Sequence, residues 1–159
     1  MPITPYAYEG KTRMWYLPAV ADATAPTVSE FTAGTEITSQ STADGVTPNH
    51  TENFVATGML SGFIRNSIGT EGVTFNLRFL RNFDAGGDQA WALFDTRGKI
   101  GLLAIINDGA DPAASGEAEL YPAEFGRRKR VQSGANTHQA FSVQVAVNSD
   151  FTDDAIIAI

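Results

Sequence analysis

Cysteine is absent from the 159 residues, which removes disulfides, thiol nucleophiles and every Cys-based zinc site at once. Histidine is nearly absent: His50 and His138 are the only two, they lie far apart in polar, turn-like stretches, and no HExxH pattern exists. Metal sites need several converging ligands, so each is read as a solvated loop or interface residue. Basic residues are scarce, 11 against 18 acidic for a net charge of −7. Ordinary high-affinity nucleic-acid binding is disfavoured, because neutralising phosphate requires clustered Lys and Arg. No apolar run approaches the length that spans a bilayer. The start Met1-Pro2-Ile3-Thr4-Pro5 lacks the basic region and apolar core of a secretory signal. A soluble, unsecreted chain is expected, with Asn49-His50-Thr51 a chance sequon.

Catalytic patterns are missing as well. Walker A and GxGxxG glycines do not occur, so nucleotide binding has no support. In Gly58-Met59-Leu60-Ser61-Gly62 the serine falls one place late for a nucleophile elbow, and the glycines suit a bulge or close backbone approach. Asp108, Asp111, Glu117 and Glu119 are rich in oxygen but lack the EF-hand order, and a solvated turn accounts for them. The chain reads as a non-enzyme with no catalytic, metal or cofactor residue.

What is present is a succession of strands. Val73, Phe75, Leu77 and Phe79 share one face of a segment whose other face carries Thr74, Asn76 and Arg78, the two-residue period of a half-buried strand. Phe54–Ile64, Lys99–Ile106, Glu117–Tyr121, Phe125–Val131 and Ala140–Asn148 read likewise, the last with Phe141, Val143 and Val145 inward and Ser142 and Gln144 outward. One short helix is expected near 88–96, N-capped by Asp88 and stopped by Gly98. Residues 18–52 have few large apolar side chains, a composition that by itself reads as flexible. Trp15 and Trp91 sit in periodic segments and read as core. The strands do not divide into two cores, so a single domain over 1–159 is expected: a mainly β sandwich or barrel with one packed helix.

Two segments suggest surfaces made for contact. Arg127-Arg128-Lys129-Arg130 holds four of the eleven basic residues in a chain otherwise acidic. It suits complementarity with acidic surfaces of adjacent subunits, although a solvated edge that deters wrong pairing also fits. The end Ala155-Ile156-Ile157-Ala158-Ile159 is apolar for a terminus. It seeks either a partner surface or a place as the last edge strand of its own domain. On the first reading, deleting it leaves a folded domain that polymerises poorly.

Arg13-Met14-Trp15-Tyr16-Leu17 followed by the Pro/Thr/Ala-rich stretch from Ala21 to Thr38 resembles the amino-terminal signature of phage major tail (tail tube) proteins of long-tailed siphophages, particularly those of actinobacterial phages. The likeness continues through Gly72–Phe79, Asp88–Phe94, Arg97–Leu103, Glu119–Gly126 and the strand from Phe141. It implies the tail tube fold, with a β core over 54–148 and extended arms, and no added immunoglobulin-like domain. It also implies hexameric rings of this chain stacked into a hollow tail through which the genome passes, the DNA being a transient passenger past non-adhesive walls. Contacts between rings are then expected from an amino-terminal arm at 1–12, a long loop at 38–53 and a carboxy-terminal arm at 148–159. The candidates are Pro2, Ile3, Tyr6, Tyr8, Arg127, Arg128, Lys129, Arg130, Ile156, Ile157 and Ile159, with Asn76, Ser142 and Gln144 for the lumen wall. Implied partners are the tape measure, tail terminator and distal tail proteins, and the implied location is the virion tail after synthesis in the bacterial cytoplasm, without membrane contact. The alternatives are a β-sandwich binding or decoration module, a cryptic enzyme, or, on the same resemblance, a tube protein of a related contractile or secretion system.

Overall fold

The structure, a computed structural model, describes residues 12–42, 45–46, 48–57, 65–82, 87–131 and 137–159, with backbone alone at 54–57 and 65–70. In chain order these form β1 (Arg13–Leu17), α1 (Val28–Ala33), β2 (Thr35–Glu36), a 3-10 turn (Thr38–Gln40), β3 (Pro48–Thr57), β4 (Arg65–Leu80), α2 (Gln89–Leu93), β5 (Lys99–Ile106), β6 (Glu117–Phe125), β7 (Lys129–Val131), β8 (Ala140–Val147) and β9 (Thr152–Ile156). The strands form one antiparallel sheet in the order β2-β1-β5-β6-β8-β4-β3, with β7 added to β8 and β9 to β6.

The alternation expected in β4 and β8 is present, and the register explains its use. Phe75 faces Val145, Leu77 faces Val143 and Phe79 faces Phe141, so each apolar side chain meets another across the strands. At its carboxy-terminal end β6 pairs with β8, while its amino-terminal end pairs with β9. This split lets the two halves of the sheet face each other across an aromatic interior. Phe75 and Tyr121 meet edge-on at 4.8 Å, and Tyr16 and Phe125 at 5.2 Å.

A second apolar cluster lies on the other face of β1, β5 and β6, formed by Trp15, Leu17, Ala104, Ile106, Leu120 and Ile157 with Phe31 of α1. The strands are not divided between the two clusters, since β1, β5 and β6 contribute to both. β1 and β5 are apolar on both faces because both are covered: Met14 and Tyr16 face the first interior, Trp15 and Leu17 the second. Such double-sided burial produces a continuous apolar run instead of alternation.

Residues 18–52, read as flexible, contain α1 and the start of β3. α1 is held by a capping box: Thr27 Oγ1 accepts from the Glu30 N–H and the Glu30 carboxylate accepts from the Thr27 N–H at 2.7 Å. The Thr27 N–H, with the Ala21 N–H, holds the Glu30 carboxyl below its ordinary pKa. The helix then packs through Phe31, edge-on to Trp15 at 5.5 Å. Thr27→Ala is expected to lower unfolding free energy by about 1 kcal/mol, measured by urea denaturation; an unchanged midpoint would show that Phe31 alone places the helix.

Three boundaries differ from expectation. The loop expected at 38–53 gives way at Pro48 to β3, which pairs with β4 from Pro48↔Phe75 onward. α2 is only Gln89–Leu93, and Asp88 makes no side-chain cap to it. The carboxy-terminal arm expected at 148–159 contains β9, paired to β6 through Ala118↔Ala155. Gly98 has φ +81, a left-handed conformation suited to glycine, and turns the chain into β5.

Candidate assembly surfaces

The outward faces of β4 and β8 carry the three lumen candidates side by side. Asn76 faces Gln144, and Arg78 faces Ser142; Asn76 and Gln144 are exposed, Ser142 half-buried. With Asn49, Thr74, Arg97 and Glu124 nearby, this face lines a shallow concavity of 680 Å³. The concavity combines amide and hydroxyl groups with apolar surface from Phe75, Val145 and Ala146, and the face carries Arg78 and Arg97 against Glu124.

At one end of β6 lies the tetrabasic segment. Arg128 is half-buried, and its backbone N–H donates to the Phe94 carbonyl at 2.9 Å. Its guanidinium also donates to the Trp91 carbonyl and lies 4.1 Å from the centre of the Trp91 ring. Arg81 and Arg130 approach the same ring at 3.8 and 5.4 Å. Trp91 is thus a half-buried platform for cations that also packs against the core as expected, in a T-shaped contact with Phe141 at 5.1 Å. Arg127, Lys129 and Arg130 are exposed.

Behind this platform Asp88, 8 % exposed, is ion-paired to Arg81 at 2.7 Å and accepts from Gln40 Nε2 at 2.8 Å. Gln40 Oε1 in turn accepts from the Ala90 N–H at 2.7 Å. A buried carboxylate needs such partners, and here they tie the 3-10 turn, the end of β4 and the start of α2 together. Sequence reasoning missed this network because its members are 40 or more positions apart from Gln40.

The opposite end of β6 is acidic. Glu117, Glu119, Asp108, Asp153 and Asp154 border a cleft of 420 Å³. Glu119 accepts from the Tyr121 hydroxyl at 2.9 Å and from Asn107 at 2.5 Å. Burial, then the neighbouring Glu119 charge, pushes the Tyr121 hydroxyl pKa up. Asp111 is drawn away from this group by Arg13, whose guanidinium also pairs with Glu36 at 2.9 Å. Arg13 holds the Glu36 carboxyl below its ordinary range.

The apolar terminus divides. Ile156 and Ile159 are exposed, but Ile157 is 2 % exposed and turned into the second core. Ile157 is therefore corrected from a contact candidate to a core residue: β9 pairing places it under α1, where it offers no surface to a neighbour. Pro2, Ile3, Tyr6 and Tyr8 lie outside the described residues. His50 lies on β3, not in a loop, with Nδ1 3.0 Å from Glu71, while His138 is exposed before β8. Among the described residues no three His, Asp or Glu converge as metal ligands, and no helix is long and apolar enough to cross a membrane.

Comparisons with known proteins agree with this architecture. A chain of the SPP1 tail tube is 12 % identical with a TM-score of 0.63, covering 93 % of this chain and 78 % of that one. A chain from the tail of an empty GTA particle, refined with C6 symmetry, is 13 % identical with a TM-score of 0.52, covering 76 % and 87 %. A chain of the sixfold-symmetrised baseplate of the anti-feeding prophage is 9 % identical with a TM-score of 0.53, covering 96 % of both. At such low identity these TM-scores show a shared fold alone. No curated protein matched. The profile of the phage tail tube protein family, however, matches residues 1–159, so this chain belongs to that family and is a structural protein of the virion tail, not an enzyme.

Proposed function

We propose that the chain polymerises into hexameric rings stacked as the hollow tube through which a phage genome leaves the capsid. The family match across residues 1–159 carries this reading, and the C6 symmetry of the GTA tail supports the ring size. In that tube the outward face of β4 and β8, with Asn76, Ser142 and Gln144, lines the lumen. Asn76, Ser142 and Gln144 carry no charge and give a sliding passenger no anchor of their own, while Arg78 and Lys129 stand opposite Ser142 on the same face. Tape measure, terminator and distal tail proteins are the proposed neighbours at the ends and within. Electron microscopy of the purified chain across a concentration series is expected to show rings or tubes. A monomer at every concentration, together with virions whose tails lack the chain, would refute the reading.

The likeness to the anti-feeding prophage baseplate chain supports a second reading, the tube of a related contractile or secretion system. Mass spectrometry of purified DNA-containing virions separates the two, since only the first places this chain there.

Neither reading uses the histidines chemically. His50→Ala combined with His138→Ala is expected to leave tube yield and phage infectivity within about twofold of the parent, since exposed polar contacts contribute little. Loss of infectivity with tails of normal appearance would reopen a chemical role.

A further inference from the structure

β6 and β7 follow one path along β8, with Phe125 opposite Val145 and Lys129 opposite Ser142. At the far end of β6, Glu117 lies opposite Ile156. β6 alone spans roughly 26 Å at about 3.3 Å per residue, which keeps the chemistry of its two ends well apart. Beyond Phe125 lies the tetrabasic segment, with Arg128 and Arg130 over Trp91 and Arg127 and Lys129 exposed beside it. At the other end lies the acidic cleft bordered by Glu117, Glu119, Asp153 and Asp154. Each end also exposes an apolar side chain, Leu80 at 36 % on the basic end and Ile156 at 48 % on the acidic end.

Most of the charge at both ends has no internal counter-ion among the described residues. Among the described residues, the ion pairs of the basic end are confined to Arg81 with Asp88, and no Lys or Arg pairs with Glu117, Asp153 or Asp154. Arg128 and Arg130 lie over the same indole as the Asp88-paired Arg81 without a carboxylate of their own among these residues, and an incoming carboxylate supplies one.

We propose that the basic end of one copy, built on Trp91 and the tetrabasic segment, docks head to tail into the acidic cleft between β6 and β9 of a second copy. Two different surfaces meet in such a contact, so it propagates into a ring or a column instead of stopping at a dimer. The opposite charges fix register and speed encounter, while Leu80 and Ile156 supply apolar surface at the same two ends. The inference rests on the assembly reading above and names the surfaces that carry it.

Two full-length charge reversals test it: Arg127→Glu with Arg130→Glu, and Asp153→Lys with Asp154→Lys. Each alone brings like charges together and is expected to raise the concentration needed for assembly at low salt by about tenfold or more. Mixed in equal amounts they are expected to assemble as the parent does, because every contact then again joins opposite charges. Thermal unfolding like the parent's confirms intact folding; if either variant fails that check, Lys129→Glu paired with Glu117→Lys replaces the pair. Assembly of either variant alone at the parental concentration, or a mixture no better than its components, overturns the contact. Failure of the parent itself to assemble overturns the assembly reading and this contact with it.

Discussion

Ile157→Ala is expected to lower the unfolding free energy by about 2–5 kcal/mol, the range for truncating a buried aliphatic side chain. Ile157 is 2 % exposed in the cluster that also holds Trp15, Leu17, Phe31 and Leu120. Its segment is sewn into the domain by backbone bonds. The Ile156 N–H donates to Thr24 O at 3.2 Å, Ile157 to Gly116 O at 2.8 Å and Ala158 to Pro26 O at 2.7 Å. Deleting Ala155–Ile159 removes these bonds and uncovers one face of β6 and β1. A loss of that kind is comparable with the roughly 5–15 kcal/mol by which whole domains are stable, so the truncated chain is expected to be unfolded or without fixed packing. This reverses the expectation that the tail is a dispensable arm. Urea denaturation with near-ultraviolet circular dichroism of Trp15 checks it, and a truncated chain that melts like the parent would show the tail to be peripheral. Ile159→Ser, at a side chain 99 % exposed, is the matched control and should leave stability unchanged.

A loss of about 3–5 kcal/mol is expected for Phe94→Ala. Phe94 is fully buried and touches three other rings: Phe125 stacked at 5.3 Å, Phe79 stacked at 6.0 Å and Tyr16 edge-on at 6.2 Å. Its consequences extend beyond the core because α2 has five residues, far too few for a helix to persist by propensity. Anchoring by Phe94 is what positions Trp91, and the Phe94 carbonyl receives the Arg128 N–H. Assembly yield should therefore fall in Phe94→Ala even at temperatures where most of the protein remains folded. Phe94→Leu, which keeps most of the volume, should recover the larger part of both. A stability loss below about 1 kcal/mol would mean that the core collapses around the missing ring.

The sequence by itself determined the elements whose side chains alternate or run apolar, because that pattern records solvent exposure residue by residue. β4 and β8 were legible down to which residues face inward, since Val73, Phe75, Leu77 and Phe79 alternate with polar neighbours. The capping box of Thr27 and Glu30 was also written there, but with Phe31 as the one fully buried side chain of α1 its composition looked like a linker. What only the tertiary structure decided was which surfaces meet. Nothing local shows that Ile157 lies beneath α1 while Ile156 and Ile159 remain outside, for a short apolar run does not name the face it will cover. Nor does a run of four basic residues reveal that Trp91, more than thirty positions earlier, gathers two of them with Arg81. Those relations depend on chain reversals that bring distant segments into contact, and contact between distant segments is set by the packing of the whole domain.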